Sequence, residues 1–199
     1  DCRNIKLILA SGSPRRKQLL EQAGLSVIVK PSDFPEDLCI SDFPQYTDYV
    51  IETAFHKVSD VFSQFSNTKD VVVIGADTVV AQNGKIYGKP QSEEHAAEML
   101  REFSGKTHEV CTAVILKSDS QIKKFSVITL VQMRKLNENE IIEYVKTGEP
   151  MDKAGSYAIQ GEGGKLIEKI DGDFTNVVGL PVKQLLLELE ELLTKMSDK

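Results

Sequence analysis

Two arginines stand in an electrostatically poor place. Residues 7–20 read LILASGSPRRKQLL: an apolar run, the turn Ser11-Gly12-Ser13-Pro14, then Arg15 and Arg16 at the start of an expected helix. The backbone dipole puts about half a positive charge at a helix N-terminus, so an exposed cation there costs a few tenths of a kcal/mol, up to about 1. A bound anion reverses that sign. First-turn N–H groups, the Ser11 and Ser13 hydroxyls and two guanidiniums would then converge on one set of oxygens, with Gly12 allowing close backbone approach. Such a corner suits phosphate. A capped helix with both arginines in solvent fits the same letters. Neither this stretch nor GEGGK at 161–165 is a Walker loop, which requires G-x-x-x-x-G-K-[ST].

A second signal is Asp77, in the middle of DVVVIGADTVV (70–80). An ionised carboxylate among apolar strand residues is expensive unless it is paired, hydrogen-bonded or bound to a metal. One reading ends the strand at Gly75 and leaves Asp77 in a solvated turn. The other has Gly75 opening space at the sheet rim, with Asp77 facing a cleft as general base or as ligand to a hard ion such as Mg²⁺. Glu36 is a second candidate ligand or an ordinary surface acid. Lys57 and Lys89 are similar, although Lys89 lies in a rigid Gly88-Lys89-Pro90 turn. His56, His95 and His108 lack metal-ligand spacing, and no Ser/His/Asp or Cys/His set supplies a nucleophile.

The elements that must position these groups follow from the pattern. IKLILA (5–10) predicts a buried strand; a helix follows, with Ser13 as N-cap, Pro14 in its first turn and Gly24 past its end. LSVIVK (25–30) is a second strand, and 31–44 a loop carrying Glu36. The next helix starts near Gln45 with Tyr46, Val50, Ala54, Val58 and Phe62 as its core face. The 70–80 strand leads into a hairpin centred on Asn83-Gly84. Helices are expected over 92–105, about 138–147 and about 181–195, and strands near 107–117 and 122–134. The glycine-rich stretch 151–181 is expected to be irregular, with short strands at most. Mixing βα units with hairpins predicts an α/β fold with a mixed sheet flanked by helices.

Bulk properties exclude several classes. With 199 residues, 41% of them hydrophobic, the chain can bury a substantial core. A net charge of −6 argues against nucleic-acid and membrane-surface binding, leaving room for a small basic pocket. Cys2, Cys39 and Cys111 form neither a disulfide framework nor a zinc motif, which suggests a reduced, cytoplasmic compartment. No apolar run approaches the roughly 20 residues of a membrane span, and nothing resembles a signal peptide.

Taken together, SGSPRR (11–16), GADT (75–78), GKP (88–90), SGKTHEVCTAV (104–114), EPMDKAGSYAIQG (149–161) and NVVGLP (176–181) resemble the Maf proteins across nearly the whole chain. The resemblance implies one Maf-like domain over 1–199. Its fold would be an elongated mixed sheet with two lobes and a cleft, similar to the inosine-triphosphate pyrophosphatases. It implies a nucleotide pyrophosphatase that converts a nucleoside triphosphate to the monophosphate and pyrophosphate with Mg²⁺ or Mn²⁺. Ser11, Ser13, Arg15 and Arg16 would hold phosphates, and Asp77 would accept the proton. Glu36, Lys57 and Lys89 match other charged cleft positions, Glu36 joining Asp77 at the metal and Lys89 serving catalysis. Arg16, Thr78 and Gln160 stand where the dTTP/UTP branch has its arginine, threonine and glutamine. Gln160 offers both a donor and an acceptor to a pyrimidine edge. A homodimer is also implied. The rival reading is a nucleotide-binding regulator of cell division with little turnover.

Overall fold

The structure, a computed structural model, describes residues 4–198. Thirteen regular elements occur in the described residues: β1 (Lys6–Leu9), α1 (Pro14–Gln22), β2 (Val27–Val29), α2 (Tyr46–Phe62), β3 (Val71–Gln82), β4 (Lys85–Tyr87), α3 (Glu93–Phe103), β5 (Thr107–Lys117), β6 (Ile122–Met133), α4 (Glu138–Lys146), β7 (Ile167–Asp171), α5 (Phe174–Val178) and α6 (Val182–Ser197). Seven strands form one mixed sheet in the order β2-β1-β3-β5-β6-β7, with β4 paired to β3 off that path. The chain is thus α/β, as its pattern predicts. None of the described helices is long and apolar enough to cross a membrane. Cys39 is exposed and Cys111 buried; Cys2 lies outside the described residues.

The chain divides into two compact units. The first contains the stretch up to Thr78, Thr112–Val127 and the stretch from Gly179. Here β1 runs parallel to both neighbours, pairing Ile8 with Ile28 on one side and with Val73 on the other. Parallel neighbours need crossover connections, which α1 and α2 supply. The inner strands are apolar on both faces: Leu9, Val72, Val73 and Ile74 are fully buried.

The face of α2 differs from the expected one. Val50, Thr53, Ala54, Val58 and Val61 are buried, while Tyr46 and Phe62 are half-buried. Steps of four residues advance about 40° beyond a full turn, so four such steps carry Phe62 far around the helix from Tyr46. Steps of three bring Thr53 and Val61 back to the sheet. Gly75 also has a different role: a Cβ there would overlap Val58 Cγ2, so the glycine admits α2 onto β3 rather than opening a rim.

The second unit comprises Val79–Cys111 and Ile128–Val178. The Asn83-Gly84 hairpin forms as expected, both residues at positive φ, pairing Gln82 with Lys85 and Val80 with Tyr87. Ser92 caps α3 and Asn137 caps α4 through their side chains. Both helices pack into a core containing Leu100, Phe103, Met133, Ile141 and Tyr157. The glycine-rich stretch contains three short 3-10 turns before β7 and α5.

Substituting Gly75→Ala should destabilise the fold by about 1–3 kcal/mol, the usual cost of overpacking. In a urea-denaturation cycle with Val58→Ala, the double variant should lose less stability than the two single losses added together. Strict additivity would show that the two sites do not press on each other.

Candidate active site

Strand β1 stops at Leu9 and its chain turns away, but its partner β3 continues. The register pairs Leu9 with Ile74, and Ala10 N donates to Ile74 O at 2.8 Å. Asp77 and Thr78 therefore stand past the last residue of β1, where the loop Ala10–Ser13 replaces a strand neighbour. β1 is followed by the crossover to β2, and β3 by the hairpin into β4. Ligands of open α/β sheets collect beyond the carboxyl ends of their strands, here that of β1. The strand does not end at Gly75, so the solvated-turn reading of Asp77 is excluded.

Arg16 occupies the opening. Its Nη1 donates to Ser11 Oγ (3.2 Å), its Nη2 to Thr78 Oγ1 (3.0 Å) and its Nε to the Gly179 carbonyl (2.8 Å). Hydrogen bonds from a charged donor contribute about 1.5–3 kcal/mol each, more than the helix-dipole penalty of up to about 1. The first-turn arginine is thus retained by three fixed acceptors. Two of the five guanidinium N–H bonds remain for a ligand. Burial lowers the Arg16 pKa, the charge of Asp77 opposing it. Ser13 caps α1, its Oγ accepting from Arg16 N at 3.4 Å, and Ser13 N donates to Ser11 Oγ at 3.2 Å. Arg15 is half-buried, without an ion pair among the described residues.

Lys57, one turn beyond the buried Thr53 on α2, reaches both carboxylates. Its Nζ pairs with Asp77 Oδ1 at 3.1 Å and more closely with Glu36 Oε1. Side-chain exposure is 16% for Asp77 and 54% for Glu36, so one end of this triad is enclosed and the other meets water. Burial raises the Asp77 pKa, while Lys57 and then Arg16 pull it down. Glu36 sits at φ 53°, a conformation uncommon for a residue with a side chain. Its loop is tied along α2: Asp60 Oδ2 accepts from Ser32 Oγ and Asp33 N, and Phe34 stacks on His56 with centroids 4.8 Å apart. A hollow of about 220 Å³ opens here, lined among others by Ser11, Gly12, Ser13, Arg16, Glu36 and Lys57.

The sequence-derived candidates Ser11, Ser13, Arg16, Glu36, Lys57, Asp77 and Thr78 thus meet within the first unit. Glu36 and Asp77 both pair with Lys57 and carry hard oxygen donors of the kind a divalent ion takes, while no group of three or more His, Cys, Asp or Glu that could hold a metal occurs among the described residues. Lys89 and Gln160 belong to the second unit and are both exposed. Gly88 O accepts from Gly155 N at 3.1 Å, which joins the Lys89 turn to the DKAGSY stretch. In that stretch Asp152 and Lys153 pair at 2.9 Å.

Three participants carried no role in the sequence reading. Thr112 Oγ1 pairs with Thr78 Oγ1 at 2.9 Å, Gly179 accepts from Arg16, and Tyr49 has its pKa raised by burial and by Asp77. Tyr49 and Lys57 lie eight residues apart on α2, a helical spacing that could have signalled a shared face.

The family model described as "Maf-like protein" matches residues 6–192. The dTTP/UTP pyrophosphatase of Bacillus pumilus (strain SAFR-032) is 46% identical over 185 residues, covering 93% of this chain and 95% of its own. Proteins of the same name from Bacillus cereus (strain G9842) and Bacillus thuringiensis subsp. konkukian (strain 97-27) are each 45% identical over 186 residues, covering 94% of this chain and 95% of theirs.

Replacing Lys57 with Met removes the largest influence holding the Asp77 pKa down, so carboxyl-carbon NMR should show Asp77 titrating at higher pH than in the parent. A carboxyl whose pKa is raised in the fold favours folding below its unfolded pKa, and that contribution is lost as pH rises through the folded value. The variant should therefore lose more stability at pH 7 than at pH 4. An unchanged Asp77 titration would exclude the coupling.

Proposed function

The chain belongs to the Maf family, and we propose that it hydrolyses dTTP and UTP to the monophosphate and pyrophosphate. The carrying observation is the convergence of Arg16, Lys57 and Asp77 within one unit, at the end of β1. Relatives about 45% identical bear the name of this activity. In this reading Ser11, Ser13, Arg15 and Arg16 bind phosphate oxygens, Lys57 adds charge beside them, and Thr78 braces Arg16.

Water attacks the α-phosphorus as the bond to the α,β-bridging oxygen breaks, and pyrophosphate leaves with that electron pair. Asp77 takes the proton of the attacking water. A carboxylate positioned there can accept that proton as a general base. Asp77 and Glu36 would hold Mg²⁺ or Mn²⁺, which when bound supplies positive charge against the phosphate oxygens. Lys89 as catalytic cation and Gln160 as reader of the base rest on the family relation. That relation also carries the expectations of one domain over 1–199 and a homodimer. Three widely spaced cysteines with neither a disulfide framework nor a zinc motif suit a reducing cytoplasm, and the net charge of −6 disfavours nucleic acid as a partner.

Purified protein with Mg²⁺ or Mn²⁺ should release pyrophosphate from dTTP and UTP; orthophosphate as sole product would mean cleavage at the terminal phosphate and defeat the assignment. Asp77→Asn should lower turnover by about 10²–10⁴-fold, the usual worth of a general base. Its folding stability at pH 7 should be kept, since the neutral isostere carries no buried charge. Full turnover by a well-folded Asp77→Asn protein would remove Asp77 from the chemistry.

A further inference from the structure

We infer that Glu149 and Tyr144 are positioning residues for base selection, because together they hold both ends of the turn that carries Gln160. This rests on the reading of Gln160 as the group that meets the base. All the residues concerned lie in the second unit.

Glu149 follows α4 after the left-handed Gly148 and is half-buried. Its Oε1 accepts from Glu162 N at 3.0 Å and its Oε2 from Gly163 N at 2.9 Å. Oε2 also accepts a close hydrogen bond from Tyr144 Oη. The same Tyr144 oxygen accepts from Ala158 N at 3.2 Å. The backbone is therefore anchored two residues before Gln160 and again two and three residues after it. The intervening turn is closed by Gly161 N donating to Ala158 O at 3.1 Å. Burial and then Glu149 push the Tyr144 phenol pKa upward, so it stays a donor across the working pH range.

Packing leaves this arrangement no slack. A Cβ at Gly161 would overlap Glu149 Oε1, and one at Gly163 would lie 2.6 Å from Tyr144 Oη and 2.7 Å from Ala158 O. At Gly163 backbone leaves room for nothing larger than glycine, and at Gly161 a side chain would displace the Glu149 carboxylate from the clamp. In contrast, the Gln160 side chain is exposed, with no hydrogen-bond partner among the described residues. A fixed backbone presenting a free carboxamide is what a base reader needs: rigidity lowers the ordering cost on binding, and the unspent donor and acceptor are left for the ligand. A carboxylate suits the clamp because both its oxygens accept. The amide of a glutamine would turn an NH₂ towards at least one of the backbone donors.

The test is steady-state kinetics on dTTP, UTP and dCTP for Glu149→Gln, Tyr144→Phe and Gln160→Ala. In Glu149→Gln and Tyr144→Phe, the dTTP preference over dCTP in kcat/KM should fall about tenfold, mainly through KM, with kcat on dTTP within about twofold of the parent. Adding Glu149→Gln to Gln160→Ala should change the preference no further. Should Gln160→Ala keep the parental preference, the base-reader reading fails and takes this inference with it. If Gln160→Ala loses the preference while the two clamp variants keep it, the inference alone is overturned. Equal loss on all three nucleotides at an unchanged preference would assign the clamp to folding only and overturn it as well. Tyr144→Phe removes a single hydroxyl, so it carries the test if Glu149→Gln does not fold.

Discussion

The early end of β1 is the constraint on which the site depends. Because β1 stops at Leu9, opposite Ile74, while β3 runs on to Gln82, β1 no longer accompanies β3 at Asp77 and Thr78. The turn Ser11-Gly12-Ser13 and Arg16 of α1 line the hollow that opens there. Arg16 spans from that turn to Thr78 and Gly179, so one side chain joins the start of α1, the middle of β3 and the segment entering α6. An acid at position 77 is tolerable past the end of β1, whereas four residues earlier, at fully buried Val73, nothing could pair it.

Charge balance around Asp77 then sets its chemistry. Desolvation alone would favour the protonated form, and the two cations alone would favour an ordinary carboxylate. Their opposition leaves a net upward shift, with the enclosed acid ionisable yet more basic than usual. Glu36 shares Lys57 but reaches solvent, which gives the triad one anchored and one exposed carboxylate. Holding Glu36 there requires a left-handed backbone and a loop pinned by Asp60 and His56, a local cost consistent with a functional position.

The second unit uses glycine differently. Gly75 in the first unit admits a helix onto the sheet, while Gly161 and Gly163 admit a carboxylate and a phenol against a turn. In each case the missing Cβ is replaced by a neighbouring side chain, so the sequence shows a glycine and only the neighbour explains it. The buried His108 of the same unit, its pKa pushed down to about 4 by desolvation, makes its hydrogen bond to Tyr157 Oη and serves the core rather than a metal.

Much of the fold is legible in the chain because its signals are local. Ser13-Pro14 opening α1, Asn83-Gly84 turning the hairpin, Ser92 capping its helix and the apolar run of β3 each act over a few residues, and each is found in place. The phosphate corner and the out-of-place acid were visible for the same reason: a cation at a helix start and a carboxylate in an apolar strand violate local rules. What the chain could not disclose is which distant groups resolve those violations. Arg16 meets Thr78 and Gly179, Lys57 bridges Asp77 and Glu36, and Glu149 grips the backbone beyond Gln160. Such partners are separated by up to 163 residues. No spacing encodes them, because they are set by strand order, by register and by where one strand ends beside a longer neighbour.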